Sequence, residues 1–104
     1  MVVARQVFQA KYGRGDELVA LFQEFNTRMR EAGETTPRFR ILTDASGPFF
    51  TVVTEYEIES FADWEQEFRQ MMAEMMSQPE MQDWFSRMME LVESGRRDFY
   101  NIVE

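Results

Sequence analysis

The chain has 104 residues, 44 % of them apolar and 14 % aromatic, enough for one packed domain over residues 1–104 and too little length for a second. Nineteen acids against eleven bases give a net charge of −8, which disfavours nucleic acid and anionic membranes as partners, since both reward clustered Lys and Arg. The absence of cysteine and histidine excludes disulfides, thiol and imidazole catalysis, Cys- or His-bound zinc and a His-held haem, and no metal or cofactor is expected.

From Val2 to Ala10 apolar and polar residues interleave, which predicts a strand ended by Tyr12-Gly13-Arg14-Gly15. The period then changes. Leu18, Leu21, Phe22, Phe25 and Met29 recur at three- and four-residue steps, an apolar helical stripe with Asp16 and Glu17 at its positive end and Gly33 just past its last turn. Pro37 to Thr43 predicts a second strand and Phe49 to Ile58 a third, joined into a hairpin by Asp44-Ala45-Ser46-Gly47-Pro48. Ser60, with Asp63 three residues on, predicts the cap of a second helix whose stripe is Phe61, Trp64, Phe68, Met71, Met72 and Met75. Ser77-Gln78-Pro79-Glu80 has the spacing of a capping box and predicts a third helix carrying Met81, Trp84, Phe85, Met88 and Leu91, ended by Ser94-Gly95. Arg97 to Val103 alternates again and predicts a last strand.

The order β-α-β-β-α-α-β is the split βαβ plan of a ferredoxin-like α+β fold. It implies a four-stranded antiparallel sheet in the order 4-1-3-2, with right-handed crossovers that set every helix on one face. Alternation then speaks about the uncovered face. Val2, Ala4, Gln6, Phe8 and Ala10 point one way and Val3 and Val7 the other, and the third strand likewise divides Phe50, Val52, Tyr56 and Ile58 from Phe49 and Val53. Apolar residues on both faces predict a second cover, and a second copy packed sheet to sheet about a two-fold axis is the economical one. Arg5, Gln9, Lys11, Glu55 and Glu57 on that face must then pair with one another or line a cavity. No stretch is apolar enough for the membrane: the longest without a charge, Ala45 to Thr54, is ten residues. No basic-then-apolar leader opens the chain, so the expected address is the cytoplasm.

Two stretches carry a resemblance: Ala10-Lys11-Tyr12-Gly13-Arg14-Gly15 leading into the Leu18–Phe25 helix, and Glu55-Tyr56-Glu57-Ile58-Glu59-Ser60-Phe61-Ala62-Asp63-Trp64, a strand running directly into a helix. With the element order they resemble the dimeric α+β barrel superfamily, which includes antibiotic-biosynthesis monooxygenase-like and NIPSNAP-like proteins. The resemblance implies a homodimer and a small-molecule pocket between sheet and helices. The Ser-Phe-Ala-Asp-Trp segment looks like that of the superfamily's haem-degrading monooxygenases, whose activity uses an Asn on the first strand, this Trp and a later His. Trp64 matches, whereas Gln6 stands near the Asn position and Glu74 near the His position, so that arrangement is not reproduced. The resemblance also implies cofactor-free oxygenation of a polyphenol, another activity of the superfamily, which needs only a pocket and polar groups to hold a phenolate.

The candidate ligand-binding residues are therefore Trp64, Gln6, Tyr56, Arg5 and Phe8, with Gln6 and Glu74 the candidates for catalysis, Glu74 as a base if burial raises its pKa. Trp64 and Gln6 each have a plainer role, as core and as a strand polar group bonded to a helix. Arg38 and Arg40 beside Glu55, Glu57 and Glu59 predict cross-strand ion pairs. Seven of the nine methionines lie between Met71 and Met89, a spacing that follows helical packing and reads as a soft core rather than a Cu(I) site. The expected function is binding of a small apolar or aromatic ligand by a dimer. The alternatives are a cofactor-independent monooxygenase and a partner-binding module that uses the Met-rich helices.

Overall fold

A computed structural model describes residues 1–33 and 39–104. The elements run β1 (Val2–Ala10), α1 (Gly15–Glu31), β2 (Arg40–Thr43), β3 (Thr51–Ile58), α2 (Phe61–Met76), α3 (Pro79–Leu91) and β4 (Val92–Asn101). The strands form one antiparallel sheet in the order β2-β3-β1-β4, which is the expected 4-1-3-2 read from the other edge. This is the ferredoxin-like α+β plan. Among the described residues no helix is long and apolar enough to cross a membrane, and no group of three or more Asp or Glu is placed to hold a metal ion.

Local chemistry accounts for most boundaries. Gly33, at φ +75°, follows the last turn of α1 in the left-handed conformation that glycine adopts without strain. The Ser60 hydroxyl accepts from the Asp63 N–H at 3.1 Å, the expected cap of α2. Four boundaries differ from expectation. Ser77 does not cap α3: it closes α2, its hydroxyl donating to the Glu74 carbonyl at 2.6 Å, and α3 begins after Gln78 with Pro79 in its first turn. Ser94-Gly95 does not end α3, because β4 starts at Val92 and pairs Val92, Ser94 and Gly95 with Ala10, Gln9 and Phe8 across a register shift. Gly95 is a close-approach glycine, since a Cβ there would stand 3.3 Å from the Phe8 ring. β3 begins at Thr51 rather than Phe49, because Phe50 sits at φ +61°, outside extended geometry. Of the second strand expected over 37–43, Arg40–Thr43 forms, while Pro37 and Arg38 lie outside the described residues.

The main core fills one end of the molecule. Leu18, Leu21 and Phe22 of α1 pack with Met81, Trp84 and Leu91 of α3, with Ala10 and Val52 of the sheet, and with Met75 from the last turn of α2. The Trp84 Nε1–H donates to the Leu21 carbonyl at 2.9 Å and ties α3 to α1. Of the seven methionines between Met71 and Met89, Met75 and Met81 are buried and Met76 and Met89 are exposed.

Candidate functional site

The first half of α2 lies outside that core and builds a second cluster on the same face of the sheet. Ser60 starts the helix so that Phe61, Trp64 and Phe68 share one stripe at three- and four-residue steps. Trp64 is only 7 % exposed. Its ring stacks on Phe68 at 4.8 Å and meets Phe99 of β4 edge to face at 4.9 Å, and Phe61 meets Phe99 at 4.8 Å. The Trp64 Nε1–H donates to the Tyr56 hydroxyl.

The sheet register supplies the floor. Across β3, β1 and β4 one row reads Tyr56, Ala4, Phe99 and the next reads Thr54, Gln6, Arg97. Gln6 and Tyr56 therefore stand on the helix side with Trp64, as expected. The Gln6 carbonyl lies 3.5 Å from the Thr54 hydroxyl, at the limit of a hydrogen bond. Phe8 points to the same face one row further on and packs against Phe22 at 5.1 Å, part of the main core rather than of this cluster.

Arg97 closes the cluster at the sheet's edge. Its guanidinium carbon lies 4.9 Å from the Trp64 ring centroid and 4.8 Å from that of Phe68. Such a cation–π contact contributes about 0.5–2 kcal/mol according to its exposure. Burial pushes the Tyr56 phenol above its ordinary pKa, against the opposing Trp64 hydrogen bond and the Arg97 charge. At neutral pH the phenol is protonated. It accepts from Trp64 and keeps its own hydrogen, for which no acceptor is found among the described residues. Two donors, the Arg97 guanidinium and the Tyr56 hydroxyl, thus adjoin one aromatic wall.

Two candidates lie elsewhere. Arg5 is on the opposite face of the sheet, where Nε bonds Glu55 at 2.9 Å and the guanidinium lies 5.2 Å over the Tyr100 ring. Glu74 is exposed on α2. Ten residues after Trp64 a helix has turned away from the Trp64 stripe, and Met75 occupies the inward position. The condition for Glu74 as a base, burial, is not met. Arg97, which sequence reasoning missed as a site residue, was legible as a charged residue alternating with Phe99 on the helix-facing side of the last strand.

The opposite face is banded rather than uniformly apolar. Leu42, Val53 and Val7 form one row across β2, β3 and β1. Arg40, Glu55, Arg5 and Asp98 form the next. Glu55, only 5 % exposed, accepts from both Arg5 and Arg40, and Arg96 pairs with Asp98 at 2.9 Å. The expected ion pairing of Arg40 with the third strand is thus present, and Arg38 lies outside the described residues. Elsewhere, an open cleft of about 530 Å³ separates α1 from α3, and a shallower one of about 350 Å³ marks the outer side of α2. Neither reaches the aromatic cluster. The arginines of the first, Arg14 and Arg87, are already paired with Glu17 and Glu24, which leaves that cleft no uncommitted cation to recognise a ligand.

No protein-family model matches the chain, and no curated protein matches it in sequence. Solved structures do match in fold. An uncharacterized NIPSNAP domain protein from Burkholderia xenovorans superposes with a TM-score of 0.78 at 17 % identity, over 99 % of this chain and 95 % of that one. A NIPSNAP family protein from Agrobacterium tumefaciens gives 0.76 at 18 % identity, over 99 % and 93 %. A candidate antibiotic biosynthesis monooxygenase from Deinococcus radiodurans gives 0.63 at 13 % identity, over 100 % and 94 %. At these identities the likeness is one of fold. The chain shares the ferredoxin-like fold of NIPSNAP-domain and antibiotic biosynthesis monooxygenase-like proteins, the superfamily that its residues resemble.

Proposed function

We propose that this protein is a homodimer, paired through the banded face of its sheet, that binds a small aromatic molecule between the sheet and the first half of α2. The observation that carries the binding reading is the separation of the Trp64 cluster from the main core. The α1–α3 core mixes Phe22 and Trp84 with Leu, Val, Ala and Met side chains and spends its one indole donor on a backbone carbonyl, whereas this layer sets a phenol, a carboxamide and a guanidinium among four aromatic rings. Mostly apolar walls with a few convergent polar groups are what small-molecule sites are made of.

The dimer reading is supported by the other face. Val3, Val7, Val53, Leu42 and Tyr100 have no helix over them, and Glu55 and Asp98 already have arginine partners on their own chain. A second copy could cover the band of Val7, Val53 and Leu42 without stranding Glu55, Asp98 or their arginines. Native mass spectrometry tests the pairing: a mass of twice 12.4 kDa is expected, and Val7→Glu should halve it. A monomeric native protein overturns the dimer. Calorimetric titration with 2-naphthol, a neutral bicyclic aromatic, tests the site: binding is expected, with loss in Trp64→Leu. Binding that is indifferent to Trp64 overturns the assignment.

A further inference from the structure

We infer that the ligand is an aryl carboxylate, its carboxylate held by the Arg97 guanidinium and the Tyr56 hydroxyl and its ring laid against Phe68, which Trp64 backs from beneath. The inference rests on the binding reading above and narrows it to a chemical class.

The argument starts from the company that each arginine keeps. In a chain with 19 acids, Arg5, Arg14, Arg28, Arg40, Arg69, Arg87 and Arg96 all have a carboxylate within 3.5 Å. Among the described residues Arg97 has none. Arg30 has none either, but it stands in the last turn of α1, where a cation serves the negative end of the helix. Arg97 has no such helix end to serve. It is the neighbour of Arg96, which does take the nearby Asp98, so an acid was within reach of this strand and went to the other face.

What Arg97 has instead is ring surface. A guanidinium over aromatic faces is fixed in plane and keeps its N–H groups unspent, because the rings satisfy charge without accepting in-plane hydrogen bonds. Its planar fork matches a carboxylate with two parallel N–H···O bonds, a geometry that a compact ammonium cannot offer. The Tyr56 hydroxyl, held by Trp64 with its own hydrogen unplaced, adds a neutral donor beside the cation. Trp64 is buried with one face stacked on Phe68, so the ring surface left for the organic part of the ligand is that of half-buried Phe68. Charge and stacking point to one molecule carrying both.

The test uses a matched pair of probes, 2-naphthoate and 2-naphthalenemethanol, titrated calorimetrically into the full chain and its Arg97→Gln and Arg97→Lys variants. Because Arg97 is exposed, both variants should keep the native circular dichroism spectrum. The carboxylate should bind the native protein about tenfold more tightly than the alcohol. Arg97→Gln should erase that preference, bringing the carboxylate to the affinity of the alcohol in the same variant, and Arg97→Lys should restore only part of it. Equal affinity for the two probes, or a preference that survives in Arg97→Gln, overturns the anion assignment and leaves aromatic binding standing. Failure of both probes to bind removes the binding reading, and this inference falls with it.

Discussion

The bond between Trp64 Nε1 and the Tyr56 hydroxyl can be weighed separately from the packing of the two rings, with a double-substitution cycle. Tyr56→Phe deletes the hydroxyl and leaves the buried indole N–H without a partner, at a cost of about 1–3 kcal/mol. Trp64→Phe deletes the donor and also opens space beside Phe68 and Phe99. Full truncation of a buried aromatic costs about 3–5 kcal/mol, so exchange for the smaller ring should cost about half as much. If the two groups meet, the double variant repeats the loss of one bond rather than adding a second. Its destabilisation should fall short of the sum by about 1 kcal/mol. With a urea m-value of about 2 kcal/mol/M for a chain of this size, that shortfall displaces the midpoint by about 0.5 M, which is readily measured. Far-UV circular dichroism is the readout to use, because Trp84 complicates fluorescence, and protein concentration must be held fixed if the chain pairs. Strict additivity within about 0.3 kcal/mol would mean that hydroxyl and indole do not meet, and the polar part of the candidate site would lose its foundation.

Glu55→Leu should destabilise the fold by about 1–3 kcal/mol, because it strips Arg5 and Arg40 of a common acceptor; an unchanged thermal midpoint would refute that network. Gly95→Val should cost about 1–3 kcal/mol in urea melts, since its Cβ must displace the Phe8 ring from 3.3 Å, and a neutral result would deny the close approach. The Tyr56 phenol, raised above 10.0 by burial, stays neutral in the folded chain at pH values where the unfolded chain has begun to ionise. The stability linked to it is therefore complete below about pH 10 and is lost as pH rises through the folded value. Tyr56→Phe should remove the latest part of the tyrosinate absorbance titration at 295 nm and flatten the alkaline fall in stability.

How much of this was legible follows from the range of the forces involved. Elements written in a hydrophobic period were recoverable: the Leu18-Leu21-Phe22-Phe25 stripe gave α1, the Ser60 cap gave the start of α2, and the order of elements gave the strand order. Boundaries governed by a partner distant in sequence were not. Ser94-Gly95 has the local chemistry of a stop, yet the ladder with β1 holds it in a strand and the Phe8 ring explains the glycine. Ser77 falls between two helices, directly after Met76 and two residues before Pro79, and only the geometry assigns it to α2. At the candidate site, Trp64, Tyr56 and Gln6 were found because strand alternation and helical stripe both aimed them inward. Arg5 was one residue out of phase with them, and a strand sends such a neighbour to the opposite face. Arg97 obeyed the same alternation and was hidden only by the reputation of arginine as a surface residue.

That residue also bears on why the two ends of the helical layer differ. At the α1–α3 end three elements converge with Leu, Phe, Met and Trp, and the buried indole of Trp84 spends its single donor on a backbone carbonyl of the neighbouring helix. The side-chain donors there join element to element, the Trp84 indole to α1 and the Asn26 amide to the Phe39 carbonyl. At the start of α2 the corresponding indole spends its donor on a side-chain hydroxyl, which in turn keeps a hydrogen, and the nearest cation is stacked rather than paired. Burying polar groups costs stability unless they are satisfied, and here the phenol hydrogen has no acceptor among the described residues while the exposed guanidinium has ring contacts in place of a carboxylate. An incoming carboxylate would satisfy the phenol and the guanidinium at once. The same fold thus joins its elements through the Trp84 indole at one end, and at the other leaves a phenol hydrogen and a guanidinium without a carboxylate or carbonyl acceptor among the described residues.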